Sequence, residues 1–219
     1  MGVPVLILGE SGCGKSTSMR NLNPADTVIV QPIRKRLPFR NSFTEMSKEG
    51  GQIKATDNAE MMIKLITGAA KAGKKMFIID DFQYVMANEY MRRSKEKSYD
   101  KFNDIGFNAW SIINHAQSVA GDMRVYFMSH VETDMGGKTK IKTIGKMLDE
   151  KITIEGMFTI VLGAGVCDGN YTFATQNNGS NTVKSPMGMF EEMNIDNDLL
   201  MIDNTIVEYY NLEQKNEQV

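Results

Sequence analysis

Apolar and polar residues form short blocks along the first two thirds of the chain. Helical spacing of apolar residues predicts helices at 59–71, 82–91 and 102–119. Continuous apolar runs predict buried strands at 3–8, 27–30, 76–79 and 124–130. Strands that alternate with helices in this way are typical of an α/β fold, in which helices flank a mostly parallel sheet.

The last third of the chain has a different pattern. Short strands are predicted at 158–164 and 171–176, with a weaker signal at 182–184, and Asp168-Gly169-Asn170 predicts the hairpin turn between the first two. A second hairpin, with a Gly-Gly turn, is predicted at 133–143, and a terminal helix at 196–212. We therefore expect antiparallel C-terminal strands, one core over residues 1–190, and an acidic helix or tail over 191–219.

Composition narrows the class of protein only slightly. A chain of 219 residues that is 42% hydrophobic and 24% charged is expected to form one globular domain. Cys13 and Cys167 are too few for a disulfide framework, which favours a reducing compartment. Neither a signal sequence nor an apolar run of about 18 residues is found, so we expect a cytoplasmic protein.

Charge is distributed unevenly along the chain. Residues 189–219 contain eight acids and one base, whereas the rest contains 24 bases and 19 acids. A basic body with an acidic tail is typical of a protein that binds a polyanion and whose tail competes for the same surface. Ordinary solvated surface gives the same counts, so charge alone does not decide between the two.

The segment Gly9-Glu10-Ser11-Gly12-Cys13-Gly14-Lys15-Ser16, hereafter the phosphate loop, matches the motif G-x-x-x-x-G-K-[ST] and lies between a predicted strand and a predicted helix. Its glycines allow backbone N–H groups to point at phosphate oxygens, and a helix N-terminus adds partial positive charge. We expect Lys15 to contact the β- and γ-phosphates, Ser16 to bind Mg²⁺, and Thr17 to contact the α-phosphate. The segment therefore predicts binding of a nucleoside triphosphate.

Two carboxylates follow the predicted strand at 76–79. Asp80 and Asp81 are expected at the carboxyl edge of the sheet, where open α/β sheets bind ligands. In this position Asp80 is a candidate to hold Mg²⁺ through water, and Asp81 is a candidate to polarise the attacking water. A strand followed by a helix cap has the same pattern, so this assignment depends on the phosphate loop upstream.

Further polar residues follow the strand predicted at 124–130. His130 is a candidate sensor of the γ-phosphate, and the alternative is a histidine that only hydrogen-bonds at the strand end. Glu132 is a second candidate for the carboxylate that activates water. His115, by contrast, falls on a predicted helix, and we interpret it as structural.

A strand is predicted between the phosphate loop and the acid strand, which are 65 residues apart when counted from Lys15 to Asp80. A resemblance to a known family depends on four segments: GESGCGKST, FIIDDFQYVMANEYM, YFMSHVE and GKTKIKTIGKMLDEKI. With these segments the chain resembles the small phage-encoded RecA-like ATPases, a group that includes single-strand annealing proteins of the Sak type. The transporter signature Leu-Ser-Gly-Gly-Gln and the GTPase motif Asn-Lys-x-Asp are both missing from the sequence.

The resemblance implies a RecA-like core that uses ATP and Mg²⁺ and acts on single-stranded DNA in phage recombination or replication, within a bacterial host. It also implies a homo-oligomer, a filament or ring, with ATP between subunits and a positively charged finger from a neighbour. Lys146 fits that finger best, and Lys142 is second. The loops that contact DNA in this family correspond here to Arg92, Arg93, Lys95 and Lys97, and to Lys138 and Lys140.

The chain departs from the larger recombinases in one respect. Their catalytic glutamate follows the second strand, where this chain has Gln31-Pro32. The base is then Asp81 or Glu132, or hydrolysis is slow. Two other functions therefore stay open, namely a nucleotide-gated scaffold with little turnover and a phosphotransferase with a small acceptor.

Overall fold

The computed structural model describes residues 1–47, 50–145 and 147–212, with the backbone alone at 147, 149 and 150. These described residues form an eight-stranded sheet, a separate two-stranded hairpin and four α-helices. The helices are α1 Ala59–Lys71, α2 Gln83–Arg92, α3 Asp100–Ser118 and α4 Leu199–Tyr210. None of the described helices is long and apolar enough to span a lipid bilayer.

The strands β1 to β5 are Val3–Leu8, Thr27–Gln31, Ile53–Ala55, Met76–Ile79 and Arg124–Ser129. The hairpin consists of β6 Val131–Thr133 and β7 Thr139–Ile141, and the strands β8 to β10 are Ile160–Cys167, Asn170–Ala174 and Asn194–Asp196. Short helices complete the chain: 3₁₀ turns at Ser16–Asn21 and Ile154–Met157, and a π-helical turn at Met147–Ile152.

The order of the strands in the large sheet is β10-β9-β8-β1-β5-β4-β2-β3. All pairs from β8 to β3 are parallel, whereas β9 and β10 pair antiparallel at one end. Strand β5 separates β1, which leads into the phosphate loop, from β4, which leads into the two aspartates. The predicted α/β fold, with a mostly parallel sheet and antiparallel C-terminal strands, is thereby confirmed.

Alternation along the central strands explains why helices cover both faces. Leu6 and Leu8 of β1 point into one apolar cluster, which α1, α2 and α3 complete. Val5 and Ile7 point into the other cluster, which includes side chains of the 3₁₀ turn Ser16–Asn21 and of α4. The sheet is therefore the middle layer of three, and its carboxyl edge is left open for a site.

Three details differ from the prediction. A helix was predicted after the phosphate loop, and the structure has only a 3₁₀ turn of six residues there, Ser16–Asn21. Two edge strands, β3 and β10, were not predicted, because strands of three residues give too few alternating positions to detect. Residues 182–184 form no strand, only a bridge between Lys184 and Val161.

Within the described residues 191–212, strand β10 and helix α4 are packed against the rest of the sheet layer. Strand β10 pairs with β9, and Leu199, Ile202 and Ile206 of α4 are fully buried. The boundary at residue 190 stays a prediction. The last acids of the tail, Glu213 and Glu217, lie outside the described residues.

Candidate nucleotide-binding site

The phosphate loop turns sharply between β1 and the 3₁₀ turn Ser16–Asn21. Gly12 and Gly14 have φ angles of 81° and 92°, a region that a side chain disfavours. At Gly9 a side chain is excluded by steric overlap, because a Cβ there would lie 2.6 Å from the backbone oxygen of Ala164. The glycine spacing therefore meets backbone requirements in this chain as well as in the motif.

Lys15 is folded back onto its own loop. Its Nζ donates hydrogen bonds to the carbonyl oxygens of Gly9 and Glu10, at 2.7 and 2.8 Å, and lies 3.8 Å from Sγ of Cys13. Burial lowers the pKa of Lys15, and nearby negative charges only partly offset this effect. The ammonium is thus held inside the loop, within reach of a bound phosphate.

Ser16 and Asp80 join the phosphate loop to the acid strand. Ser16 Oγ donates a hydrogen bond of 2.7 Å to Asp80 Oδ1. Nε2 of Gln31, the last residue of β2, lies 3.5 Å from Asp80 Oδ2. Asp80 is fully buried, and burial raises the pKa of its carboxyl group, an effect that Lys35 opposes.

Mg²⁺ fits this pair of oxygen ligands. It prefers oxygen donors, uses one or two carboxylates in phosphate sites, and keeps several of its waters. The Ser16 hydroxyl and the Asp80 carboxylate are already in contact, so both are placed to bind one ion. Within the described residues no three His, Cys, Asp or Glu side chains form a metal cluster, and an ion of this kind needs none.

Asp81 occupies an unusual backbone conformation, with a φ angle of 72°. The next residue, Phe82, donates its N–H to the Met128 carbonyl at 2.7 Å, which holds the start of α2 against β5. The turn points the Asp81 carboxylate toward two bases. It forms a close ion pair with Lys35, and its Oδ1 lies 3.5 Å from His130 Nε2.

His130 follows β5 at the same edge of the sheet. Its backbone N–H donates to Gln83 Oε1 at 3.2 Å, and its ring meets that of Tyr84 edge-on. Burial lowers the pKa of His130, and the positive charge of Lys15 lowers it further. Its imidazole is therefore biased toward the neutral form.

These groups surround a cleft of about 520 Å³. Six of the predicted residues beyond the glycines line it: Ser11, Lys15, Ser16, Thr17, Asp81 and His130. Sequence reasoning missed its other walls: Ile33, Lys35, Arg36 and Pro38 from the loop after β2, Tyr84 of α2, and Tyr171 of β9. A basic loop directly after β2 was the only signal for the first four.

Tyr171 and Asn197 pack against the phosphate loop from the side of β9. A Cβ on Gly14 would lie 2.9 Å from the Tyr171 ring and 3.1 Å from Asn197 Nδ2. Asn197 is 3% exposed, and its side-chain amide has no hydrogen-bond partner within the described parts of the chain. Arg20 donates to the carbonyl of Asn197, so this residue, two positions before α4, is anchored to the turn after the loop.

The remaining predicted site residues lie elsewhere. Glu132 is not among the described residues that line the cleft, and its carboxylate is 3.7 Å from Lys140 within the β6–β7 hairpin. Lys146, the predicted finger, lies outside the described residues. Its alternative, Lys142, directly follows β7, and its N–H donates to the His130 carbonyl at 2.9 Å.

The basic residues predicted to contact DNA differ in their ion pairs and in their exposure to solvent. Arg93 pairs with three carboxylates, those of Glu89, Glu96 and Asp104, at 3.1, 2.9 and 2.8 Å. Arg92 is 2.5 Å from Asp57. The side chains of Lys95, Lys97 and Lys138 are exposed to solvent.

No protein-family model matches the sequence, and no curated protein matches it either. Among solved structures, the chain is similar to a KaiC-like protein from the hyperthermophilic archaeon Pyrococcus horikoshii OT3. The two chains are 12% identical, the match covers 78% of this chain and 76% of that chain, and the TM-score is 0.40.

Proposed function

We propose that the protein is a Mg²⁺-dependent ATPase. The observation that carries the proposal is the hydrogen bond of 2.7 Å between Ser16 of the phosphate loop and Asp80. It joins a phosphate-binding backbone to a metal-binding carboxylate across β5, which separates their strands. A site that binds phosphate alone would not need the Asp80 carboxylate.

Each group has a distinct role. The loop backbone binds and orients the phosphates, and Lys15 supplies positive charge beside them. Ser16 and Asp80 hold Mg²⁺, which neutralises charge on the β- and γ-phosphates when bound. Asp81 is the favoured candidate to accept a proton from water, since it lines the cleft, whereas Glu132 pairs with Lys140 outside it.

Binding and turnover test the proposal directly. We expect the protein to bind ATP in a Mg²⁺-dependent manner and to release phosphate, and Lys15→Ala to lose both while its circular dichroism stays unchanged. Lys64→Ala, which removes an exposed lysine of α1, is the matched control and should behave as wild type. ATP affinity that is equal in the two variants would overturn the proposal.

A second candidate is a nucleotide-gated module with little turnover. It is favoured by the ion pair between Lys35 and Asp81, because a carboxylate held by an ammonium is a poor base. The two functions differ in one measurement. Tight Mg²⁺-dependent ATP binding with no phosphate release, with or without DNA, supports the module over the ATPase.

For the partner we propose single-stranded DNA, contacted by an oligomer with ATP between its subunits. The exposed Lys95, Lys97 and Lys138 support this better than Arg93, whose guanidinium is already bound to three carboxylates. Replacing these three lysines by alanine should weaken oligonucleotide binding and reduce its salt dependence. For a comparison at equal net charge, the double variant Lys95→Ala, Lys97→Ala is set against the double variant Lys64→Ala, Lys71→Ala, which should bind as wild type. Particle mass with and without ATP reports assembly.

A further inference from the structure

Lys35 reaches the candidate metal site from a loop that carries no motif. The loop follows β2, and Lys35 lies four residues after the last residue of that strand. Its Nζ forms a close ion pair with Asp81 Oδ2 and lies 3.7 Å from Asp80 Oδ2. One ammonium therefore contacts both carboxylates that follow β4.

The contact offsets the repulsion between two neighbouring buried carboxylates. The two aspartates are adjacent and nearly enclosed, with 0% and 8% of their side chains exposed. Like charges at such a site repel, and burial penalises both of them. A cation held between the two carboxylates offsets the repulsion in the absence of any ligand.

A metal ion bound by Asp80 would need the space that the Lys35 ammonium occupies. Asp80 Oδ1 accepts from Ser16, and Oδ2 of the same carboxylate lies 3.7 Å from Lys35 Nζ, so a metal ion or its waters bound by Asp80 would lie close to the Lys35 ammonium. An ammonium and a divalent ion repel each other strongly at such separations. Lys35 is able to move away, since 38% of its side chain is exposed and it lines the same cleft as the phosphate loop.

We propose that Lys35 is a built-in counter-ion of Asp80 and Asp81, which a metal–nucleotide complex displaces, and that its ammonium then contacts the terminal phosphate. The proposal rests on the nucleotide-binding function proposed above. In this proposal Lys35 is a cation from the same chain as the phosphate loop, and it lies next to the bond between the β- and γ-phosphates that hydrolysis breaks. The proposal also explains why Asp81 can be held in an ion pair without ligand and still be free when ATP is present.

Metal binding without nucleotide tests the first half. Mn²⁺, followed by its electron paramagnetic resonance signal, should bind Lys35→Met at least about tenfold more tightly than wild type, because the competing ammonium is gone. Arg36→Met is the matched control, since Arg36 lines the same cleft but contacts neither aspartate in the described structure. Equal affinity of Lys35→Met and wild type, or an equal gain in Arg36→Met, overturns the proposal.

The second half predicts a change of opposite sign. Lys35→Met should lose about tenfold of the preference for ATP over ADP, because only ATP has the phosphate that Lys35 contacts. Lys35→Arg keeps the charge and should retain most of that preference. An unchanged ratio of ADP to ATP dissociation constants in Lys35→Met overturns this half, and Lys35→Gln repeats both arms if the Met variant is unstable.

The two measurements separate this inference from the function on which it rests. If wild type binds no nucleotide, the proposed ATPase fails, whereas the Mn²⁺ result still decides whether Lys35 occupies the metal site. If wild type binds ATP and the Mn²⁺ affinity of Lys35→Met is unchanged, the ATPase stands and the role of Lys35 fails.

Discussion

Arg124 of β5 and Asp203 of α4 form a two-point ion pair inside the protein. Arg124 Nε and Nη2 donate to the two carboxylate oxygens of Asp203, at 2.8 and 2.6 Å. Tyr126 donates its hydroxyl to the same carboxylate at 2.6 Å. The network ties the C-terminal helix to the strand that separates the phosphate loop from the acid strand.

Breaking this pair should destabilise the fold strongly. Arg124→Met leaves the Asp203 carboxylate buried without its cation, and we expect a loss of about 3–5 kcal/mol in the free energy of unfolding, measured by urea denaturation. The more exposed pair of Arg92 and Asp57 is the comparison, and Arg92→Met should lose less than about 1 kcal/mol. Similar losses in both variants would contradict the assigned role.

Tyr126 should make stability depend on alkaline pH. Burial raises the pKa of its phenol above the usual value of 10.0, and the charge of Asp203 raises it further. The unfolded chain then loses this proton first, so the stability present below pH 10.0 falls as the pH rises above it. Thermal unfolding from pH 8 to 11 should show a flatter alkaline decline for Tyr126→Phe than for wild type.

Ser16 should couple metal to nucleotide. Ser16→Ala removes both a metal ligand and the hydrogen bond to Asp80, so the gain in ATP affinity on adding Mg²⁺ should fall about 10- to 100-fold. Ser16→Thr keeps the hydroxyl and should keep most of the gain. ATP titrations in the presence of Mg²⁺ and in the presence of a chelator measure this gain in affinity. An undiminished gain in Ser16→Ala would rule out the role of Ser16 as a metal ligand.

Tyr171 should bind the nucleoside rather than the phosphates. Tyr171 is 52% exposed and lines the cleft, and its ring packs against Gly14. Tyr171→Ala should lose about 1–3 kcal/mol of ATP binding, the usual contribution of a base stacked on an aromatic ring. Inorganic triphosphate has no base, so its affinity should not change, and Tyr171→Phe should resemble wild type. Equal losses for ATP and triphosphate would point to damage of the loop instead.

The sequence was sufficient to predict the parts of the site that are local in the chain. The phosphate loop is contiguous, and its glycines meet backbone requirements that can be recognised without a structure. The acid strand is recognisable because an apolar run ends in two carboxylates. The strand predicted between them along the chain is β2, which pairs with β4, whereas the position of β5 between β1 and β4 was not predicted.

The other parts depend on contacts between distant residues. Lys35 is 46 positions from Asp81, and Asn197 is 177 from Arg20, so no local spacing reports either contact. Arg93 illustrates the opposite case. It belongs to a conspicuous basic run in the sequence, but three nearby carboxylates bind its guanidinium. Charge counts along a chain do not show which charges are already paired.

The left-handed backbone at Asp81 has a consequence for mutational scans of this protein. Glycine and asparagine tolerate a φ angle of 72°, whereas β-branched residues do not. Asp81→Asn and Asp81→Gly should therefore yield well-folded but chemically impaired protein, while Asp81→Val should reduce expression itself. Selection for solubility and selection for activity would then give different substitution profiles at this one position, and comparing them would separate its architectural constraint from its chemical one.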